Sequence, residues 1–520
     1  MLLFAFFQAT SQPVLLEKGE QEKLNLLLLN SDNRMFTGYR AFDWLELEKN
    51  NLLGDSIGNI GGLSSSSGDR LIKSRLLNES WLQWRSKNFM LRADPYIDGG
   101  SGVALKPDRY LPYGGAGGRI KGIFFDKLSF SFTCYAATED FPSYVDEYIL
   151  DNDKTVPGEL KAVRNSQGYY RYTRTDAYLS FVPDKHITLT AAYGKIFIGD
   201  GYRSLLMSDN AAPFPYLRLK ASYWKLTYNV IYSRYENDNL VNGKRQPKFS
   251  VMHYLGIDIG KKLQLGFFEN TLWLGRDSNY DRGFDVSYLN PLVLMRPVEF
   301  SLGSTDNALM GATGKYTFDK GYIYLQAGID DLNIGATLRH KKQHLNNKYF
   351  FQLGIWDYGI FGMKNLSWRL EWNAVRPYTY GHRKPEQNYT HNHQPLADPF
   401  GANFHEFISF FSYNRGRWYA YLENLLTLRG ENPGLPYNNG EDLWGGEKNV
   451  PALGSKTLQG TRHLYFYHRL SAGWLINPQN HMALQAEAIY RQHSAPGVRN
   501  STVIFSLGIR TNWFNHYYDW

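Results

Sequence analysis

Cysteine is almost absent from this chain, and long apolar runs are absent altogether. The 520 residues include a single cysteine, Cys134, so an intrachain disulfide framework is excluded and a cysteine-based zinc site is disfavoured. The longest leucine run covers residues 26–29, whereas a membrane-spanning helix needs about 18 or more consecutive apolar residues. The sequence therefore argues against a disulfide-stapled domain and against helical membrane spans.

The chain also lacks a concentrated block of charge of one sign. Its 57 Lys and Arg against 49 Asp and Glu give a formal net charge of +8, and the basic residues are scattered. A nucleic-acid-binding protein concentrates such residues on one face, so we expect no nucleic-acid partner. Scattered Lys and Arg suit acidic lipid phosphates or anionic glycans, although an ordinary solvated surface has the same composition.

Aromatic residues, in contrast, are abundant: 38 Tyr, 31 Phe and 13 Trp make up 16% of the chain. The mean hydropathy is nevertheless polar, at −0.44. Strands with one apolar face toward lipid and one polar face toward a lumen reconcile these two values. Membrane barrels also place aromatic girdles at both lipid–water interfaces. Composition therefore favours a barrel that crosses a membrane with β-strands.

Alternation of apolar and polar residues with a period of two dominates the chain from about residue 84 onward. Clear examples are the segments 127–136, 186–194 and 461–474. The last such segment places Val503, Phe505 and Leu507 on one face. Each segment has the length that a tilted strand needs to cross the hydrocarbon layer.

Short and long connections between these segments alternate along the chain, as they do in outer-membrane barrels. A soluble β-sandwich has no physical reason to sort its loops by length in this way. We therefore predict an all-β fold over residues 81–520: a closed antiparallel transmembrane barrel of about 18 strands (16–20). We expect it in the outer membrane of a Gram-negative bacterium, with both termini periplasmic. The predicted long connections are 137–167, 198–214, 235–247, 276–307, 376–404 and 428–460.

Residues 1–11 have features of a residual signal peptide. Residues 2–7 are apolar, and the small residues Ala9, Thr10 and Ser11 follow where a signal peptidase would cut. Basic residues ahead of the apolar run are missing, so the alternative is a frayed apolar terminus of a cytosolic protein.

Residues 12–80 differ in pattern from the predicted barrel. Segment 17–30 predicts a helix with a charged start and an apolar end, and segment 61–68 is a flexible, serine-rich linker. Segment 71–84 is a second helical or mixed candidate. We assign residues 12–80 to a small, partly helical, periplasmic or plug-like element.

The densest histidine group consists of His391, His393, Asp398 and His405. Two histidines two positions apart on an extended segment point the same way, which suits a metal site or an acid/base pair. A hydrolase also needs an activated nucleophile, and none is apparent. Hydrogen bonding within a folded loop is the favoured interpretation, and we expect no enzyme, metal or cofactor. The glycines at 114–118 predict a bend at the barrel rim, because no P-loop Lys-Ser/Thr pair follows them.

Two loop blocks, 198–219 and 290–311, combine apolar and charged residues. Apolar loop residues avoid water, so we expect both blocks to fold back onto the barrel mouth and constrict it. Their polar residues then either anchor the loops or line a ligand site. The candidate binding residues, with the two histidines included, are Tyr202, Arg203, Asp209, Arg296, Glu299, Asp306, Asn307, His391 and His393.

These blocks also carry a family resemblance. The segments GDGYRSLLMSDNAAPFPYLRL (199–219), NPLVLMRPVEFSLGSTDNALMG (290–311) and NYTHNHQPLADPFGANFHEF (388–407) resemble the Wzi capsule-assembly family of outer-membrane barrels. They look most similar to its Bacteroidota branch, which includes the gliding-motility protein RemB. Residues 156–158 and 510–520 agree, so the resemblance covers the chain from about residue 80 to its end.

The resemblance implies an 18-stranded barrel with a small helical element on the periplasmic side and without catalytic residues. It also implies a role in holding capsular polysaccharide at the cell surface. The gliding branch is instead linked to surface adhesion and to the type 9 secretion and motility apparatus.

Two functions remain open from the sequence. In the first, the barrel binds or organises surface polysaccharide, with Tyr202, Tyr280, Tyr389 and Trp444 stacking on sugars; the alternative for these aromatics is interface girdle or loop packing. In the second, the barrel is a partner within a motility or secretion assembly. A diffusion pore is disfavoured by the bulky loop blocks. The expected partners are outer-membrane lipid and lipopolysaccharide, surface polysaccharide and, in the second case, motility or secretion proteins.

Overall fold

The computed structural model describes residues 13–14, 18–30, 36–40, 42–43, 76–125, 127–241, 244–276, 283–289, 306–331, 339, 344–432 and 438–520. Within these residues the chain forms a closed barrel of 18 long antiparallel strands. The predicted fold class and the predicted strand number are thereby confirmed.

The barrel strands follow one another around the wall in chain order. They are β1 (Phe89–Leu105), β2 (Arg109–Phe124), β3 (Leu128–Glu139), β4 (Tyr170–Asp184), β5 (Ile187–Gly194), β6 (Phe214–Tyr223), β7 (Leu226–Val241), β8 (Lys244–Ile259), β9 (Leu263–Leu274), β10 (Asn307–Phe318), β11 (Gly321–Asp331), β12 (Lys348–Tyr358), β13 (Leu366–Val375), β14 (Phe404–Arg415), β15 (Trp418–Glu431), β16 (Thr461–Asn477), β17 (Met482–Ala495) and β18 (Val498–Thr511).

Strand β18 closes the barrel by pairing with β1, with Val503 opposite Leu105 and Leu507 opposite Ser101. Closure gives every strand two neighbours, so no row of backbone N–H and C=O groups is left facing lipid. The short strands Leu82–Ser86 and Val163–Arg164 add to β1 and β4.

The two faces of the wall differ as period-two alternation requires. Leu217, Phe505 and Leu507 point outward and are 58%, 49% and 59% exposed, whereas Gln352 and Asn373 point inward and are fully buried. An apolar outer skin around a polar interior is what a barrel in a lipid bilayer requires. Among the described residues, no helix is both long and apolar enough to span a bilayer.

The two ends of the barrel differ in the length of their connections. All six connections longer than ten residues meet at one end, which we call the long-loop end; the opposite end has only short turns. Strand β1 begins and β18 ends at the short-turn end. The C-terminal residue Trp520, however, packs against Tyr144 and Tyr148 of the long connection after β3, so the chain's C-terminus does not stay at the short-turn end, where both termini were predicted. The long connections are 140–169, 195–213, 275–306, 332–347, 376–403 and 432–460.

Two local predictions, the long loop at 235–247 and the rim glycines at 114–118, were wrong. Residues 235–247 form no long loop, because β7 and β8 continue into a hairpin with only residues 242 and 243 between them. The candidate segment 71–84 is mixed where it is described, as one of its two predicted alternatives has it: residues 76–77 are helical and the strand Leu82–Ser86 follows. Glycines 114–118 lie within β2 rather than at a rim bend. Gly117 is needed there because a Cβ would come within 2.5 Å of the Tyr135 backbone on β3.

The barrel lumen contains several segments of the chain itself. Helix α1 (Lys18–Asn30) matches the predicted helix at 17–30 and consists largely of strong helix formers. Its Glu22 forms an ion pair of 3.0 Å with Arg369 on the inner wall, and its Asn25 donates a hydrogen bond to the hydroxyl of Tyr322. The lumen also receives residues 36–40, the connections 195–213 and 376–403, and the C-terminal tail 512–520.

Candidate functional site

The loop block after β5 enters the lumen instead of extending into solvent. Leu205, Leu206 and Met207 are fully buried in the largest apolar cluster of the interior. The hydroxyl of Tyr380 donates a hydrogen bond of 2.6 Å to the Leu205 carbonyl, and that of Tyr389 donates one of 3.0 Å to the Leu206 carbonyl. The prediction that this block folds back onto the barrel is therefore confirmed.

Arg203 is the centre of a buried ion network that we call the Arg203 hub, comprising Arg203, Asp398, Glu406 and Asp519. The guanidinium lies 3.2 Å from Glu406, 3.1 Å from Asp519 and 3.7 Å from Asp398. These carboxylates come from the wall, the C-terminal tail and the 376–403 connection. The hub thus ties two loops and the tail to one strand.

The neighbours of Arg203 in sequence make parallel contacts with the tail. The Tyr202 hydroxyl donates to Asp519 at 2.6 Å. Asp209 accepts hydrogen bonds from the Tyr517 hydroxyl at 2.5 Å and from the Asn515 side chain at 2.8 Å. The three candidate residues of this block, Tyr202, Arg203 and Asp209, therefore anchor the loop and the tail to each other.

Burial determines the electrostatics of the hub. Burial alone would lower the pKa of Arg203, but the carboxylates of Asp519 and Glu406 raise it well above its usual range. Burial, together with the nearby Glu406 carboxylate, raises the pKa of Asp398 well above normal. Arg203 is fully buried, so the hub stabilises the interior and offers no accessible face to a solute.

The second loop block contributes two described candidates. Asp306 accepts a hydrogen bond of 2.7 Å from the Tyr288 hydroxyl. Asn307 donates one of 2.8 Å to the backbone carbonyl of Gln387 in the 376–403 connection. Both side chains are buried. The other candidates of this block, Arg296 and Glu299, lie outside the described residues, as does Tyr280.

His391 has a structural environment. Its Nδ1 accepts a hydrogen bond from the Glu236 backbone N–H at 3.0 Å, and its Nε2 lies 3.3 Å from the Pro213 carbonyl. The ring packs against Phe214 and Tyr235. Burial lowers the pKa of His391 to about 4, so the ring is neutral at pH 7 and Nε2 carries the proton that the carbonyl accepts.

His393 lies in a tight turn, whereas His391 lies in the strand that precedes this turn. Strands Thr390–His391 and Gln394–Pro395 form a two-stranded hairpin. Asn392 and His393 connect them, with φ values of 51° and 58°, as in a type I′ turn. The expectation that the two histidines point the same way was wrong, because this reversal buries His391 and leaves His393 accessible at the long-loop end.

His393 belongs to a partly exposed polar group that we call the mouth cluster. Its members come from four connections or hairpins at the long-loop end. They are Asp153, Lys161, Asp238, Arg245, Asn392, His393 and Trp444.

Asp153 joins the cationic members of the mouth cluster. Its carboxylate lies 2.7 Å from the Lys161 ammonium and 2.9 Å from the Arg245 guanidinium. The side chains of Asp153 and Lys161 are 46% and 52% exposed. The hydrogen bond from Lys161 lowers the pKa of Asp153. The group therefore presents ionised donors and acceptors to water, unlike the Arg203 hub.

Asp238 joins the remaining members. It accepts a hydrogen bond of 2.6 Å from the His393 backbone N–H and another from the Trp444 indole N–H. The side chain of Asn392 accepts a hydrogen bond from Arg245. Burial lowers the pKa of His393, so the imidazole is a neutral donor and acceptor at pH 7.

This cluster has the chemistry of a site for polar solutes. Carboxylate, amide and imidazole groups exchange hydrogen bonds with hydroxyl groups, and Arg and Lys attract acidic groups. Over the described part of the chain, no group of three or more His, Cys, Asp or Glu residues is arranged to hold a metal ion.

Sequence reasoning selected His393 and Trp444 but missed the other members of the mouth cluster. Asp153, Asp238 and Arg245 lie far apart in the chain, and their types are common on any surface. The aromatic candidates have different environments: Tyr202 and Tyr389 are buried in the interior, whereas Trp444 is a member of the mouth cluster. Residues 510–520 contribute to the family resemblance. The sequence gives no sign that this tail enters the lumen and binds Arg203, Tyr202 and Asp209.

Comparison with solved structures supports the fold. The chain is similar to Wzi, an outer-membrane protein involved in group 1 capsule assembly in Escherichia coli, described as a carbohydrate-binding β-barrel. The TM-score is 0.55 at 11% identity, covering 96% of this chain and 99% of Wzi. Acinetobacter baumannii OccAB4 aligns with a TM-score of 0.42 at 9% identity, over 82% of this chain and 98% of its own. No protein-family model and no curated protein sequence matches the chain. Structural similarity to Wzi is thus found independently of the sequence resemblance, at the level of the fold.

Proposed function

We propose that this protein is a non-enzymatic outer-membrane barrel that binds or organises surface polysaccharide, in the manner of capsule-assembly barrels. The long-loop end faces the outside of the cell and the short-turn end faces the periplasm. Outer-membrane lipid and lipopolysaccharide surround the wall. The fold likeness to Wzi, described as a carbohydrate binder, supports the choice of ligand.

The mouth cluster is the observation that carries this proposal. Its polar groups converge from four parts of the chain, Asp153 and Lys161 stay exposed, and Trp444 lies beside Asp238. Sugars require this combination of hydrogen-bonding groups and an aromatic face. Arg245 and Lys161 would meet carboxylate or phosphate substituents of an acidic glycan.

The filled lumen separates this function from diffusion through a pore. Helix α1, two connections and the C-terminal tail occupy the interior with buried contacts. We expect little or no conductance when the purified protein is reconstituted into planar bilayers. An open and steady channel would contradict the proposal.

Deletion of the gene tests the biological role. Staining of the cell surface should show loss or release of polysaccharide, and re-expression of the wild type should restore it. Re-expression of an Asp153→Asn, Arg245→Gln double variant, at equal abundance in the outer membrane, should fail to restore it. If pull-down instead recovers a stable set of motility or secretion proteins, with glycan retention unchanged, the alternative assembly role is favoured.

A further inference from the structure

A row of polar side chains lies on the lipid-facing side of the barrel. Ser409, Asn424 and His468 are consecutive partners in register across β14, β15 and β16. Their neighbours on the same outward face are apolar, with Phe407 47% and Leu470 52% exposed. The row therefore interrupts the apolar band well away from the turns and loops.

The three side chains are hydrogen-bonded to one another. The Asn424 amide donates to the Ser409 hydroxyl at 3.0 Å, and the Asn424 carbonyl oxygen lies 2.9 Å from Nδ1 of His468. This arrangement assigns the proton to Nδ1 and leaves Nε2 as an acceptor at the edge of the row. A polar group facing hydrocarbon is costly unless a partner satisfies it. The row satisfies the Asn424 side chain from within, and Nε2 of His468 can accept a hydrogen bond from a ligand at this depth.

The wall is concave at the polar row. Trp372, Phe407 and Phe466 border a groove of about 560 Å³, and Ser409, Asn424 and His468 line it. A concave, mostly apolar surface with a few placed polar groups is typical of a small-molecule site. A groove of this shape suits a single chain better than the flat face of another barrel.

Two cations lie on the same outward face as the groove, both toward the long-loop end. Arg462 lies on β16 six residues before His468, about 20 Å along the strand. Arg499 on β18 has the same register position as Leu464 on β16, because both residues pair with Ser494 of β17. Both arginines are exposed. With strands tilted by about 40°, Arg462 lies about 15 Å nearer the membrane surface than the polar row.

We propose that this face is a specific binding site for one outer-leaflet lipid, a phosphorylated glycolipid with hydroxylated or acyloxyacylated chains. Its phosphate contacts Arg462 or Arg499, one acyl chain lies in the groove, and an oxygen substituent of that chain meets Asn424 and His468. The polar row selects the lipid class, because the acyl chains of a simple phospholipid carry no oxygen below their ester groups. This inference does not depend on the glycan-binding role.

Native mass spectrometry of the full-length barrel in detergent, titrated with lipid A or with phosphatidylglycerol, tests the proposal. The wild type should retain lipid A with about tenfold preference, which corresponds to one or two hydrogen bonds. The double variant Asn424→Leu, His468→Leu should bind both lipids about equally. Arg499→Gln should weaken binding of both lipids, since it removes a phosphate contact.

Matched controls lie on the outer face of β4, away from the groove. Thr175→Val removes a lipid-facing hydroxyl, and Arg171→Gln removes an exposed arginine; both should retain the wild-type preference. All substituted side chains point outward, and heat-modified gel mobility verifies that each variant forms the barrel. Equal retention of both lipids by the wild type would overturn the proposal. So would dimers of the wild type that disappear in the Asn424, His468 variant without any change in lipid retention.

Discussion

The Arg203 hub and the mouth cluster are both networks of acids and bases on loops, and they differ in access to water. In the hub, Arg203 and its carboxylate partners are at most 3% exposed. In the mouth cluster, Asp153 and Lys161 are about half exposed. A charge without water must have its partners inside the protein, so the hub is a structural lock. A charge with water can exchange it for a ligand, so we propose the mouth cluster as the binding surface.

The largest expected effect on the free energy of unfolding comes from removing the cation of the Arg203 hub. Arg203→Met leaves Asp398, Glu406 and Asp519 buried without their cation, and removal of one partner from a buried ion network costs about 3 to 5 kcal/mol. We expect a corresponding loss in the free energy of unfolding, measured by denaturant titration in detergent. Arg245→Gln, which removes a cation from the mouth cluster, is the matched control. Equal stability of the two variants would abolish the distinction between the regions.

Acid should destabilise the connection 376–403, which carries both Asp398 of the hub and His393 of the mouth cluster. The titrating group is His391. Its folded-state pKa of about 4 lies below the normal value of 6.5, so the neutral ring is the form that the fold favours. The stabilisation is fully present above pH 6.5 and is lost as the pH falls from 6.5 to about 4, up to about 3 kcal/mol.

Hydrogen exchange of residues 388–396 at pH values from 7 to 4 would measure this effect. Local opening should increase as the pH falls. His391→Gln is the control, because its amide replaces both hydrogen bonds without titrating, and its exchange should show a flat profile after correction for intrinsic rates. The same pH dependence in both proteins would show that another group is responsible.

Glycan binding should respond to the mouth cluster and not to overall stability. Arg245→Gln removes the contacts with Asp153 and Asn392, and we expect about tenfold weaker binding of an acidic surface polysaccharide. Arg171→Gln, an exposed arginine on the outer wall, should bind as the wild type does. Calorimetric titration of both variants with the purified polysaccharide gives the affinities, and equal affinities would remove Arg245 from the site.

The smallest effect is expected at the exposed ion pair of the mouth. Lys161 and Asp153 are largely solvated, so Lys161→Ala should change the free energy of unfolding by less than about 0.5 kcal/mol. The same denaturant titration measures it. A loss comparable to that of Arg203→Met would show that the mouth cluster is a structural lock as well.

The wall of the barrel could be predicted from the sequence because its pattern is local. Alternation along 461–474 correctly placed Leu464, Phe466 and Leu470 on one face, and the structure adds His468 to it. His468 alone did not predict a site on this face. Only the strand register, which places Asn424 and Ser409 beside it, shows the polar row. Strand ends were less predictable, as the extended hairpin of β7 and β8 shows, because polar residues beyond the membrane can still pair.

The interior could not be predicted because its contacts join residues hundreds of positions apart. Arg203 was recognised as a candidate, but Asp519 is its partner only because the C-terminal tail returns into the lumen. His391 and His393 were grouped by spacing, and a two-residue turn separated their roles. Spacing along the chain fixes side-chain direction only while the backbone remains extended.

A titration of the purified full-length protein with the surface polysaccharide of its own cells tests the central claim most directly. The account predicts saturable binding by the wild type and its loss in the Asp153→Asn, Arg245→Gln variant, with the free energy of unfolding unchanged within about 0.5 kcal/mol. Undiminished binding by that variant, or no binding by a wild-type protein that conducts ions steadily, would contradict it.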